Sequence, residues 1–239
     1  MMRTALAFML AFFALSSPVT AGDFAARQIL GFSPDGRYFA FEQYGRQDGS
    51  GFPYAAIFVI DTTTDSWVKT SPFEVLLRDE RAEIKWARRE ALMKAGNLLR
   101  EKIISKPGQL LASNPPAEIS ADPHEISVNA QFAILSGHEP WRFTLKEFPL
   151  NTARCEGLFG GPAKGFRLTL APPKGAAILL HADKSVPTSR GCPMRYALSD
   201  IVMHEAADGA RVFVALVSVY AFGFEGPDRR FIAVTHRAG

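Results

Sequence analysis

The chain has 239 residues, 47% of them hydrophobic, 21% charged and 11% aromatic, with a formal net charge of +3. That length and composition fit one large packed domain or two small ones and exclude wholesale disorder, collagen-like repeats and low-complexity sequence. The 27 basic residues barely outnumber the 24 acidic ones and do not gather in a tail, which argues against a nucleic-acid partner.

Residues 1–21 read MMRTALAFMLAFFALSSPVTA. One positive charge, Arg3, precedes an apolar run from Ala5 to Leu15, and Val19 and Ala21 occupy the small-residue positions of a cleavage site. This is the pattern of a secretory signal peptide, and the run is too short to span a bilayer. The expected product is an exported chain starting at Gly22, with no transmembrane segment left after cleavage. An exported chain matures in an oxidising compartment, where its two cysteines, Cys155 and Cys192, are expected to pair. There is no C-x-x-C and no metal-ligand spacing, so neither a metal nor another cofactor is expected.

In the mature chain, two β-type runs flank Ser33-Pro34-Asp35-Gly36. Pro at the second turn position and Gly at the fourth fit a type I turn closed by a glycine bulge. With the apolar run 55–60 and a short run at Trp67-Val68, residues 28–69 read as a four-stranded antiparallel meander. Phe32-Ser33-Pro34-Asp35-Gly36, Phe39-Ala40-Phe41 and Ile57-Phe58-Val59-Ile60-Asp61 make this stretch resemble a single blade of the propeller repeats in Tol-system proteins. No second copy occurs, so a complete propeller is not expected.

From about 75 to 104 the pattern is helical. Leu77, Ile84, Ala87, Ala91, Ala95, Leu98, Leu99 and Ile103 recur every third or fourth position, charges fill the other face, and Pro107-Gly108 ends the run. Asp79, Glu80 and Glu83 are expected in the first turns, Gly96-Asn97 at a kink, and the apolar stripe against a sheet. The Pro-rich stretch 105–125 reads as a connector between subdomains 22–105 and 126–239 of one exported domain. Further strands are expected near 130–135, 141–146, 166–170, 176–181, 196–203, 211–222 and 230–236. The run 212–220, VFVALVSVY, should be covered on both faces. The fold class is α+β, mainly β, with antiparallel strands and one long helix.

Catalytic motifs fail one by one. The pairs His124-Glu125, His138-Glu139 and His204-Glu205 lack the second His that a zinc-protease helix needs. Asp35 stands where a nucleophile elbow has its second glycine, and the Gly-rich loop 157–165 lacks the ending of a phosphate loop. Two polar clusters remain as candidate binding sites: Asp183 with Ser189 and Arg190, and Glu225 with Asp228, Arg229 and Arg230. An arginine fork beside carboxylates can hold an anionic ligand, or it can simply pin a turn.

Four segments share a wider resemblance. They are Gly31–Gly45; Ala112-Ser-Asn-Pro with Ala117–Pro123; Ala182-Asp183 with Ser189-Arg190-Gly-Cys-Pro193 and Tyr196; and Gly223–Phe231. Together they resemble a bacterial family of predicted secreted proteins, domain of unknown function 2259. The resemblance implies export and brings no catalytic residues. Two functions follow as expectations. One is a non-catalytic binding protein whose partner is an envelope protein or ligand. The alternative is a hydrolase of an envelope polymer, for which Asp183, Glu225 and Asp228 would have to converge in one pocket.

Overall fold

A computed structural model describes residues 22–130 and 139–239. Strands β1 (Ala26–Phe32) and β2 (Tyr38–Arg46) flank the expected turn. The Gly36 N–H donates to the Ser33 carbonyl at 2.9 Å, and the Ser33 N–H donates to the Tyr38 carbonyl at 2.9 Å. Strands β3 (Pro53–Asp61) and β4 (Ser66–Trp67) complete an antiparallel meander in the order β1-β2-β3-β4, as the sequence pattern predicts. The meander packs by one face on a second sheet instead of standing as a blade in a propeller.

The helix is shorter than its periodicity suggests. β5 (Phe73–Leu76) pairs with β3, and the helix α1 spans Ile84–Glu101. The reason lies in the segment between them. Arg46 donates to the carbonyls of Glu80 and Ala82 at 2.8 and 2.7 Å, so these groups serve a turn and not the first helical ring. Asp79 and Glu80 therefore precede the helix, Glu83 is its N-cap without a side-chain cap bond, and the first turn carries no acid. The helix also runs on through Gly96-Asn97 without a break.

The connector 105–125 contains a strand, β6 (Gln109–Ser113), which pairs with β11 (Pro193–Glu205). Leu111 and Ala112 have apolar surface to bury there, and that outweighs the proline-rich surroundings. β7 (Glu125–Val128) is a further strand that the sequence reading lacked, and the strand expected at 130–135 lies almost wholly outside the described residues. β8 (Trp141–Pro149), β9 (Lys164–Ala171), β10 (Ile178–Ala182), β12 (Arg211–Ala221) and β13 (Asp228–Ala238) match their expected positions to within a few residues. Gly165 belongs to β9 and not to the Gly-rich loop before it.

Three antiparallel sheets and α1 stack in four layers. The central sheet has the order β13-β12-β11-β6, and the third has β10-β9-β8-β7. Alternation along β12 explains its unbroken apolar run. Val212, Val214 and Leu216 enter the core shared with Phe39, Phe41 and Phe58 of the first sheet. Phe213, Ala215, Val217 and Val219 enter the core shared with Phe143, Phe166 and Leu168 of the third. A strand buried on both faces has no polar side to show. On the far face of the first sheet, Ala87, Ala91 and Ala95 of α1 pack on Ala55, Ile57 and Val75; their i, i+4, i+8 spacing puts them on one stripe. Among the described residues no helix is long and apolar enough to cross a membrane.

Candidate functional site

The disulfide expectation holds: Cys155 and Cys192 are bonded, with Cα atoms 5.5 Å apart. Arg154, beside it, donates to the carbonyls of Pro187 and Gly191, each at 2.8 Å. The turn Thr188–Arg190 is thus stapled to the Ala153–Cys155 turn by one covalent bond and two hydrogen bonds.

That rigid turn presents Arg190 to Asp183. The Arg190 Nη1 donates to both Asp183 oxygens at 2.8 Å. His181 Nε2 lies 2.8 Å from Oδ1, and the Phe166 N–H donates to Oδ2 at 2.9 Å. The Asp183 side chain is 3% exposed and that of Arg190 10%. The guanidinium lies 5.2 Å from the Phe166 ring centre and 5.8 Å from that of Tyr196. Burial opposes ionisation of Asp183, yet the His181 contact, the Phe166 N–H and the Arg190 charge together hold its carboxyl below the ordinary range. Burial also pushes the Tyr196 hydroxyl up. Both Asp183 oxygens are thus satisfied within the protein.

The second cluster is built by residues the sequence reading did not connect. Residues 22–25 run alongside the start of β13. The Arg229 N–H donates to the Asp23 carbonyl at 2.9 Å, and the Ala25 N–H donates to the Arg229 carbonyl at 3.1 Å. Asp23 is buried, and its carboxylate accepts from Tyr54 at 2.8 Å and from Arg230 at 2.5 Å. Its own N–H donates to Asp228 Oδ1 at 3.1 Å. Burial raises Asp228 above the ordinary carboxylate range, the nearby Asp23 and Asp48 push the same way, and the Asp23 N–H and Arg230 only partly offset them. Burial likewise drives the Tyr54 hydroxyl far up.

A cleft of about 280 Å³ brings Ser189 and Arg190 of the first cluster together with Asp228 and Arg230 of the second. Its other walls include Gln43, Phe58, Trp67, Glu74 and Phe222. Gln43 is buried and its Oε1 accepts from the Phe231 N–H at 2.9 Å. Trp67 leans on Phe58, ring centres 5.6 Å apart, yet stays 47% exposed, and Phe222 is 44% exposed. The cleft therefore offers two aromatic faces beside an amide, a hydroxyl and two carboxylates. This mixture can hold a ligand with one apolar and one polar side.

The remaining sequence candidates lie elsewhere. Asp183 sits behind Arg190 and is not among the cleft residues. Glu225 is exposed, with its N–H donating to Asp48 at 3.0 Å. Arg229 packs over Phe24 and Phe231 and donates to the Ala25 carbonyl at 2.8 Å. Asp183, Glu225 and Asp228 do not converge, so the arrangement expected for the hydrolase is absent. Sequence reasoning missed Asp23, Gln43, Trp67 and Glu74, since each sits in a different segment and carries no motif. Among the described residues no group of three or more His, Cys, Asp or Glu side chains is placed to hold a metal ion.

No curated protein matches the chain's sequence. The profile of one protein family, described as "Predicted secreted protein (DUF2259)", matches residues 40–237. That span runs from within β2 to within β13 and includes the disulfide and every cleft residue named above. The chain belongs to this family of predicted secreted proteins.

Proposed function

We propose that the protein is cleaved after Ala21, leaves the cytoplasm, and serves in the cell envelope as a non-catalytic binding protein, with the cleft as its ligand site. One observation carries this reading. Both arginines of the cleft are already neutralised inside the fold, Arg190 by Asp183 and Arg230 by Asp23. What is left lining the cleft is Trp67, Phe222, the Gln43 amide, the Ser189 hydroxyl and the carboxyl groups of Glu74 and Asp228. A free anion would have to compete with buried carboxylates for the same guanidinium groups. A hydroxyl-rich ligand with an apolar face, such as a stretch of envelope glycan, does not need those guanidinium groups: it stacks on the rings and hydrogen-bonds to the polar side groups.

The test is calorimetric titration of the purified exported protein with an N-acetylglucosamine tetramer. Saturable binding that weakens about tenfold in Trp67→Ala supports the reading, in line with the roughly 0.5–1.5 kcal/mol of an aromatic contact. No binding, or binding unchanged in Trp67→Ala, would count against it. New reducing ends appearing during the titration would instead favour the hydrolase, with Asp228 and Glu74 the carboxylates to replace first.

A further inference from the structure

We infer that Asp23, Pro227 and Asp228 form a binding site for the chain's own processed N-terminus, with the α-ammonium of Gly22 as its ligand. The inference rests on the cleavage after Ala21 proposed above. The residues just downstream of that bond are tied down tightly. Asp23 gives its carbonyl to Arg229 and Arg230 at 2.9 Å each, its N–H to Asp228, and its carboxylate to Tyr54 and Arg230. Gly22 lies against the Pro227 carbonyl so closely that an added Cβ would stand 2.3 Å from that oxygen. By covalent geometry the Gly22 nitrogen is within about 3.6 Å of the Asp23 nitrogen, and the latter is 3.1 Å from Asp228 Oδ1.

The charges around this point do not balance. Asp23, Asp48 and Asp228 bear on it. Of the two cations, Arg230 is held by Asp23, while Arg229 spans the Ala25 carbonyl and two rings. Tyr54 donates to Asp23, and Glu225 reaches the group only through its N–H on Asp48. Among the described residues Asp228 is left without a cation of its own. While residue 21 is joined to residue 22 the chain offers a neutral amide there; cleavage turns it into an ammonium close to a carboxylate that accepts a backbone N–H but, among the described residues, pairs with no cation. Asp228 also lines the cleft, so processing sets the charge of the cleft's floor. A carboxylate partner raises the α-amine's pKa, so the docked end stabilises the fold at neutral pH. That stabilisation is lost as pH rises through the raised value.

The test uses the full chain exported with its own leader. Intact mass identifies the first residue, and the α-amine is then titrated by carbon NMR after reductive ¹³C-methylation. The expected product begins at Gly22, with its α-amine holding a proton about tenfold more tightly than a free one, whose ordinary value is about 7.7–8.0. Asp228→Asn should return it to that range. Gly22→Ala should do so by steric exclusion, which covers the case that the first variant does not fold. A product retaining residues before Gly22 would overturn both the cleavage and the docking site. A product starting at Gly22 with a free-range α-amine, or one unmoved by both substitutions, would overturn the docking site alone.

Discussion

Asp183 with Arg190, and Asp228 with Arg230, each combine an aspartate with an arginine that lines the same cleft, and the two aspartates end in different states. At Asp183 the carboxylate faces the arginine directly, takes a backbone N–H and a histidine besides, and titrates below its ordinary range. At Asp228 the arginine has been taken by a second carboxylate, Asp23, and Asp228 titrates above its ordinary range. Matching residue types do not make matching sites; what differs is whether each buried charge finds its own counter-charge. The first cluster is a structural clasp. The second has chemistry left over.

The sharpest way to break this comparison is to cut the clasp. Arg190→Met leaves Asp183 buried without its cation and should cost about 3–5 kcal/mol in urea denaturation. A loss under 1 kcal/mol would put the two clusters in one class. Removing the staple behind it comes next. Cys155→Ala with Cys192→Ala opens a loop of 37 positions, which the loop-entropy argument values at about 4 kcal/mol and strain reduces to about 2–4; at about 2–4 °C per kcal/mol for a chain of this length, melting should fall by roughly 10 °C.

Acid separates the clusters by sign. The Asp183 carboxyl is depressed in the folded state, so its contribution is complete above its unfolded value of about 3.9 and is lost as pH falls through the folded one. Arg190→Met should therefore flatten the acid limb of the stability curve below about pH 4, as read by denaturation from pH 2 to 7. On the other side, Gly223→Ala would place a Cβ 2.7 Å from Asp228 Oδ1 and 2.3 Å from the Gly226 carbonyl. A shift of that turn should cost about 1–3 kcal/mol. The smallest effect is expected at Glu225, which is exposed and outside the cleft. Glu225→Gln should change stability by less than about 0.5 kcal/mol and leave ligand binding unmoved.

Much of the fold was legible because the signals are local. The Ser33–Gly36 turn needs only its four residues, and the meander follows from alternation next to it. The run 212–220 announced a strand covered on both faces, which the central sheet provides. The start of the helix was misplaced because periodicity cannot see Arg46 arriving from another strand to claim the carbonyls of Glu80 and Ala82. β6 hid among prolines because its reason for being a strand is an edge of β11 some ninety positions away.

By itself the sequence determined the turn chemistry, the strand and helix content, the pairing of the two cysteines and the family to which the chain belongs, for each depends on neighbours in the chain or on the pattern as a whole. It also picked out the right arginines and aspartates, but not which would be spent. Only the tertiary structure decided that. It closed Arg190 on Asp183 and gave Arg230 to Asp23, a residue 207 positions away. It also carried Trp67, Glu74 and Gln43 from the first sheet to the same cleft. The strength of a buried charge depends on what packing removes water from and what it places opposite, and neither is written in the order of the residues.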